Sequence, residues 1–150
     1  MERTFSMIKP DGVQRRLVGR ILQRFEDKGL RLVGLKLVRV SQKQAEALYS
    51  IHQGKPFYES LMRFVTASPV VVMVVEGNQA VGVVRKLLGA TFGFNAEPGS
   101  IRGDYGCSKG YNLIHGSDCA ESAERELRLF FSPHEIVEYR TSDSRWLLDE

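Results

Sequence analysis

At 150 residues the chain is sized for one domain that withdraws about 68–70% of its unfolded surface from water, so its core needs neither disulfide nor metal. With 43% hydrophobic and 26% charged residues, and only 14 glycines and 5 prolines, it is not disordered, collagen-like or of low complexity. A net charge of +3 suits an anionic ligand without marking a nucleic-acid binder, and the longest apolar run, Val70 to Val75, falls far short of the roughly 20 residues that cross a bilayer, so no membrane partner is expected.

The charged N-terminus resembles neither a secretory signal nor a transit peptide, and the mature protein is expected to start there. Two cysteines, Cys107 and Cys119, cannot build a disulfide framework; free thiols in a reducing compartment, hence a cytoplasmic location, are expected. No internal repeat or linker divides the sequence, which predicts a single domain over 1–150.

Thr4 to Lys9 alternates about an apolar centre and reads as a strand running into the turn Pro10-Asp11-Gly12. Leu17, Ile21 and Phe25, with Val18 and Leu22, predict a helix stopped by Gly29. Leu30 to Val40 reads as a second strand, with Leu32, Gly34 and Lys36 on one face and Val33, Leu35 and Leu37 on the other. Ser41 and Gln44 form a capping box for a helix carrying Ala45, Leu48 and Tyr49. Pro56 ends it, and Phe57, Leu61, Phe64 and Val65 mark another short helix before the buried strand from Val70 to Glu76. Val81, Val84 and Leu88 predict a helix ending at Gly89.

From Gly89 to Gly110 six glycines and a proline break any period, which predicts a long loop of the kind that carries function. Asn112 to His115 reads as a short strand, and Asp118 with Glu121 signals a last helix whose stripe is Ala120, Ala123, Leu127 and Phe130. This order predicts an α+β fold: a ferredoxin-like four-stranded antiparallel sheet (βαββαβ) with helices packed on one face.

Neither G-x-x-x-x-G-K-[ST] nor G-x-G-x-x-G occurs, so phosphate binding would fall to side chains, and Lys9, Arg85, Thr91 and Arg102 could supply them. Taken singly, Arg102 reads as a solvated loop residue, Arg85 as a helix C-terminal cation and Lys9 as a surface charge. Of three histidines, His52 and His134 fall at surface positions, whereas His115 ends an apolar strand beside Gly116. Glu126 flanks the stripe of the last helix, and about seven helical residues climb roughly 10 Å, enough to return its carboxylate to His115. A carboxylate on one imidazole nitrogen fixes the tautomer and frees the other nitrogen to attack; the same pair also suits a purely structural hydrogen bond.

Asn112-Leu113-Ile114-His115-Gly116-Ser117-Asp118 resembles the signature of the nucleoside diphosphate kinases. The resemblance runs the length of the chain, through Glu2-Arg3-Thr4-Phe5, Ile8 to Arg15, Lys55-Pro56-Phe57, Leu88 to Thr91, Pro98 to Asp104 and Glu121 to Glu126. It implies transfer of a γ-phosphoryl group from a nucleoside triphosphate to a nucleoside diphosphate in two half-reactions, with Mg²⁺ on the nucleotide. It implies His115 as the phosphorylated nucleophile, Glu126 and Ser117 as the groups that hold and polarise it, and Tyr49 nearby. Lys9, Arg85, Thr91 and Arg102 would bind phosphates, Lys9 also the ribose side; Asn112 would bond the sugar hydroxyl, Phe57 would stack on the base, and Asp118 would reach the metal through water. Tolerance of every base is expected if one aromatic face holds it, since every base has a π-face.

The apolar end Trp146-Leu147-Leu148 suits packing against a neighbouring subunit; members of the family are hexamers or tetramers, and the resemblance of this longer tail to the hexameric ones implies a homo-oligomer, a hexamer. Two departures stand out: Phe92-Gly93-Phe94 replaces a common Asn-Pro, and Tyr111 replaces an arginine. Phe92-Gly93-Phe94 also imitates the centre of an RNA-recognition motif, making an RNA-binding module one alternative, although its flanks are wrong and no specific nucleic-acid partner is expected. A catalytically silent scaffold is the other, against which every expected catalytic position is filled.

Overall fold

The computed structural model describes residues 1–149. Its frame is a four-stranded sheet of β1 (Glu2–Ile8), β2 (Arg31–Val38), β3 (Val70–Gly77) and β4 (Ile114–Gly116), ordered β2-β3-β1-β4, with every pairing antiparallel. This is the expected ferredoxin-like α+β arrangement. The first strand is therefore central, bonded to β3 on one side and β4 on the other.

Helices cover both faces of the sheet, not one. On one face Phe5, Met7, Val70, Val72 and Val74 pack against α3 (Gln42–Leu48), α4 (Tyr58–Thr66) and α7 (Ala120–Phe130). On the other, Ile8, Val71, Met73 and Val75 meet α2 (Val18–Asp27) and α5 (Ala80–Leu88). Strict alternation along a strand divides its side chains between two cores, which is why Val70 to Val75 is apolar without a break. The run that identifies the strand thus also reports that both its sides are covered.

Local signals behave as expected at several ends. Gly29, at φ +89°, stops α2, with Leu30 N donating to Phe25 O. The Ser41–Gln44 capping box opens α3. Elsewhere tertiary geometry overrides the pattern. A bulge at Val33 resets β2, so Val33 stays in the core while Leu35 and Leu37, expected beside it, are exposed. The segment from Gly89 to Gly110 is not featureless: it carries a 3-10 turn at Gly93–Asn95 and α6 (Ile101–Tyr105), capped by Ser100. α7 is capped by Cys119, whose sulfur accepts from Ser122 N, in place of Asp118, and Ala120 of its expected stripe is exposed. β4 begins at Ile114; Asn112 and Leu113 form a turn before it.

Candidate active site

β1 and β4 lie side by side with Met7 opposite His115, so the residue that follows β1, Lys9, emerges beside the histidine. Ser6 Oγ donates to His115 O at 2.6 Å, fixing β4 to the strand beside it. α7 returns along this edge and brings Glu126, 3% exposed, onto the imidazole: Nε2 donates to Oε1 at 2.8 Å, and Ser117 Oγ donates to Oε2. A carboxylate only accepts, so the proton sits on Nε2 and Nδ1 is left with a lone pair. Among the described residues Nδ1 has no hydrogen-bond partner. Burial pulls the imidazole below its usual pKa, more strongly than Glu126 raises it, which keeps the ring neutral at physiological pH.

Lys9 and Arg102 stand close enough to the imidazole to lower its pKa further, and Arg85 lies near Arg102. Lys9 and Arg102 are buried, at 8% and 4% exposure, so the surface roles they take when read singly do not hold. Lys9 Nζ donates to Asn112 Oδ1 at 2.8 Å, and burial with Arg102 nearby lowers its ammonium to about 8. Arg102 projects from α6 and donates to three carbonyls, Asn112 O at 3.2 Å, Gly89 O at 3.1 Å and Ile114 O at 2.6 Å. A guanidinium has five N–H groups, so two remain for a ligand. Burial, helped by Arg85, brings its pKa down to about 10, still cationic at neutral pH. Arg85, exposed in the last turn of α5, donates to Gly116 O at 3.2 Å.

Asn112 is held at both ends of its amide, accepting from Lys9 and donating through Nδ2 to Thr91 O at 3.0 Å, which leaves the exposed Thr91 hydroxyl free to turn outward. Tyr49 sets its ring edge-on to His115 at 5.8 Å, and its buried hydroxyl has no partner among the described residues. Burial raises its pKa, keeping it a donor. Phe57, 46% exposed, sets its ring against His52.

Sequence reasoning missed two residues. His52, read as a surface histidine, sits between Tyr49 and Phe57, with centroids at 6.2 and 5.2 Å; its position at a helix end gave no signal of that. Asp11, read only as part of a turn, stands instead in the first turn of the short helix α1 (Pro10–Gln14) and accepts from Leu113 N at 3.0 Å. Asp118 is exposed beyond Ser117, its carboxyl held below the usual range by the Ser122 hydroxyl and the Cys119 thiol. No cluster of three or more metal-binding side chains exists among the described residues, so any cation here would lean on its ligand's oxygens.

The two departures have packing partners: Tyr111 lies edgewise on Phe64 of α4 at 5.1 Å, and Phe92 stacks on Phe94 at 5.8 Å, with Lys109 over Phe92. Phe92 and Phe94 lie outside the sheet, whereas RNA-recognition aromatics stand on it, which removes the structural basis of the RNA-binding alternative.

A ferredoxin-like domain whose strand end sets an oriented, neutral imidazole among lysine and arginine side chains has the chemistry of a phosphotransferase site. A family model described as nucleoside diphosphate kinase matches residues 2–136. A nucleoside diphosphate kinase of Pelotomaculum thermopropionicum is 54% identical over 149 residues, spanning 99% of this chain and all of that one; one from Staphylococcus epidermidis is also 54% identical, with the same coverage. Among solved structures, a halophilic nucleoside diphosphate kinase from Halobacterium salinarum in complex with CDP superposes with a TM-score of 0.96 at 49% identity, covering 99% of each chain. A nucleoside diphosphate kinase family protein from Babesia bovis gives 0.95 at 42% identity, covering 99% of this chain and all of that one. The chain belongs to the nucleoside diphosphate kinase family and is a phosphotransferase acting on nucleotides.

Proposed function

We propose that the chain moves the γ-phosphoryl group of a nucleoside triphosphate to a nucleoside diphosphate by a ping-pong route in which His115 Nδ1 carries the group. The observation that supports this most is the Glu126 hydrogen bond to Nε2, which spends the imidazole proton on a carboxylate and leaves Nδ1 unprotonated and unpartnered among the described residues. In the first half-reaction Nδ1 attacks the γ-phosphorus, the bond to the β–γ bridging oxygen breaks, and the diphosphate leaves with that electron pair. The second half-reaction runs the same step backwards with a new diphosphate. Glu126 Oε1, on Nε2, stabilises the positive charge that the ring acquires, while Ser117 fixes its second oxygen.

The free N–H groups of Lys9 and Arg102, with Arg85, Thr91 and the Tyr49 hydroxyl, cover the equatorial oxygens, where most of the developing charge resides. Asn112 bonds the sugar and Phe57 stacks on the base. The CDP bound by the Halobacterium relative is the nucleotide class that this reading predicts here. Bound to the nucleotide, Mg²⁺ would supply neutralisation of phosphate charge, and Asp118 would reach it through water. The exposed, ionised carboxylate of Asp118 fits such a cation, which would keep most of its waters and need one or two carboxylates at most.

The exposed Leu35 and Leu37 on the β2 edge, with Trp146 exposed at 76%, support a homo-oligomer, and a hexamer is proposed. A cytoplasmic site of action is proposed from the two free cysteines; no described helix is long and apolar enough to cross a membrane.

A coupled assay supplying one triphosphate and a different diphosphate tests the reaction; absence of exchange under any base pairing overturns it. The groups also set a pH dependence. His115 must be neutral and its pKa is lowered, so the acid limb of kcat/KM falls below the usual imidazole range. Lys9 must be protonated, so the alkaline limb lies at about 8. Lys9→Arg is expected to carry that limb upward, and an alkaline limb unmoved in this variant assigns it elsewhere.

A further inference from the structure

We propose that Asp11 is a positioning residue for phosphoryl transfer: it holds a strained backbone turn at Leu113 that decides where His115 and Asn112 stand. The inference deepens the reading of His115 as the phosphoryl carrier and rests on it. Leu113 is fully buried and has φ +73°, a left-handed conformation that a leucine rarely adopts. Ile114 N donates to Asn112 O at 2.8 Å across it. A bond from residue i+2 to residue i around a central φ near +75° is the rare, strained form of the γ-turn, which survives only where its surroundings over-determine it.

The surroundings here are identifiable. Leu113 N donates to Asp11 Oδ2 at 3.0 Å, and Leu113 O accepts from Lys9 N at 2.8 Å, so both backbone groups of the strained residue are taken by one three-residue segment. Arg102 grips the carbonyls on either side, Asn112 O and Ile114 O. Gly12 allows the close approach, since a Cβ there would lie 3.0 Å from Leu113 O and 2.6 Å from an Ile8 methyl. Of these contacts only the one from Asp11 is made by a side chain with no ligand to bind.

Asp11 is also an expensive residue to keep. Its Oδ1 is buried with no hydrogen-bond partner among the described residues, so the carboxyl group makes one hydrogen bond, to a backbone amide, and otherwise faces only the charge of Lys9 nearby. That amide belongs to the residue between the proposed sugar ligand and the strand that ends in the proposed nucleophile. Without the carboxylate the turn relaxes toward an ordinary conformation, and Asn112 and His115 shift relative to Lys9. A misplacement of about 1 Å at a reacting group is worth roughly 100-fold in rate.

The test compares Asp11→Ser, whose hydroxyl is too short to reach the amide, with Asp11→Asn, which keeps an acceptor and loses the charge. The readouts are the first-order rate of label transfer from a γ-labelled triphosphate to the protein and the triphosphate concentration at half-maximal rate. Asp11→Ser is expected to react about 100-fold more slowly with a half-saturating concentration within about twofold of wild type, while Asp11→Asn keeps its rate within about fivefold. Hydrogen exchange adds a readout independent of rate: the Leu113 amide stays protected in Asp11→Asn. Equal rates for Asp11→Ser and wild type overturn the assignment, as does an Asn variant as slow as the Ser variant, which would point to charge alone. If Asp11→Ser does not fold, an Asn variant with an unprotected Leu113 amide and an unchanged rate overturns it equally. A wild type that takes no label overturns the carrier reading and this assignment together.

Discussion

His115→Ala is expected to take up no label from a γ-labelled triphosphate and to lose at least about four orders of magnitude in turnover, or ~5.5 kcal/mol of transition-state stabilisation. The reason is chemical. Lys9 and Arg102 are cations at neutral pH, the Tyr49 phenol, edge-on to His115, is held protonated by burial, and His52, the other neutral imidazole at the site, lies beyond Tyr49 with its Nδ1 accepting from Lys55 Nζ at 3.3 Å. The fold survives, because the imidazole forms one side-chain hydrogen bond and its loss leaves Glu126 still bonded to Ser117. A folded alanine variant that exchanges phosphate at the wild-type rate would falsify the assignment of His115 as carrier.

Arg102→Ala has the second-largest effect, for two separable reasons. It removes the buried guanidinium that the proposal sets against the transferring phosphoryl group, a charge-assisted contact worth about 1.5–3 kcal/mol. It also strips three carbonyls, Gly89 O, Asn112 O and Ile114 O, of their donor, loosening the loop against β4. We expect kcat/KM to fall by about three orders of magnitude, beyond the loss of one ligand contact, together with a lower Tm. Arg102→Lys restores charge without the three-way geometry and is expected to recover little of either. Full recovery by lysine would reduce Arg102 to a point charge.

The two effects also explain what sequence could disclose. The strand end at His115, the returning helix with Glu126 and the cations Lys9 and Arg102 were legible because local pattern and motif coincide: an apolar strand, a helical period and a glycine-flanked arginine each occupy consecutive residues. Burial of the cations was not. Nothing in Gly99 to Gly103 reveals that Arg102 points inward to backbone carbonyls about ten residues away, since that depends on α6 packing beside β4. The Val33 bulge was hidden for a related reason, because alternation assumes an unbroken register and one extra residue reverses every later side chain. Helices on both faces could have been read from Val70 to Val75, whose uninterrupted apolar run requires cover on each side. Asp11 and His52 carry no local signature; both acquire their neighbours only when distant segments meet.

Lys9 has a last consequence, for endurance instead of turnover. An ammonium whose pKa drops from 10.5 in the unfolded chain to about 8 in the native one destabilises the fold wherever both forms are protonated, by about 3 kcal/mol. As pH climbs from about 8 toward 10.5 the native state sheds this proton while the unfolded chain retains it, so that handicap disappears. Lys9→Met is accordingly expected to melt at a higher temperature than wild type at pH 7, with the gap narrowing by pH 10, and an equal or lower melting point at pH 7 would contradict it. The alkaline range that disarms the catalyst is the range in which Lys9 no longer weakens the fold: at this one residue resilience and competence are set against each other by a single proton.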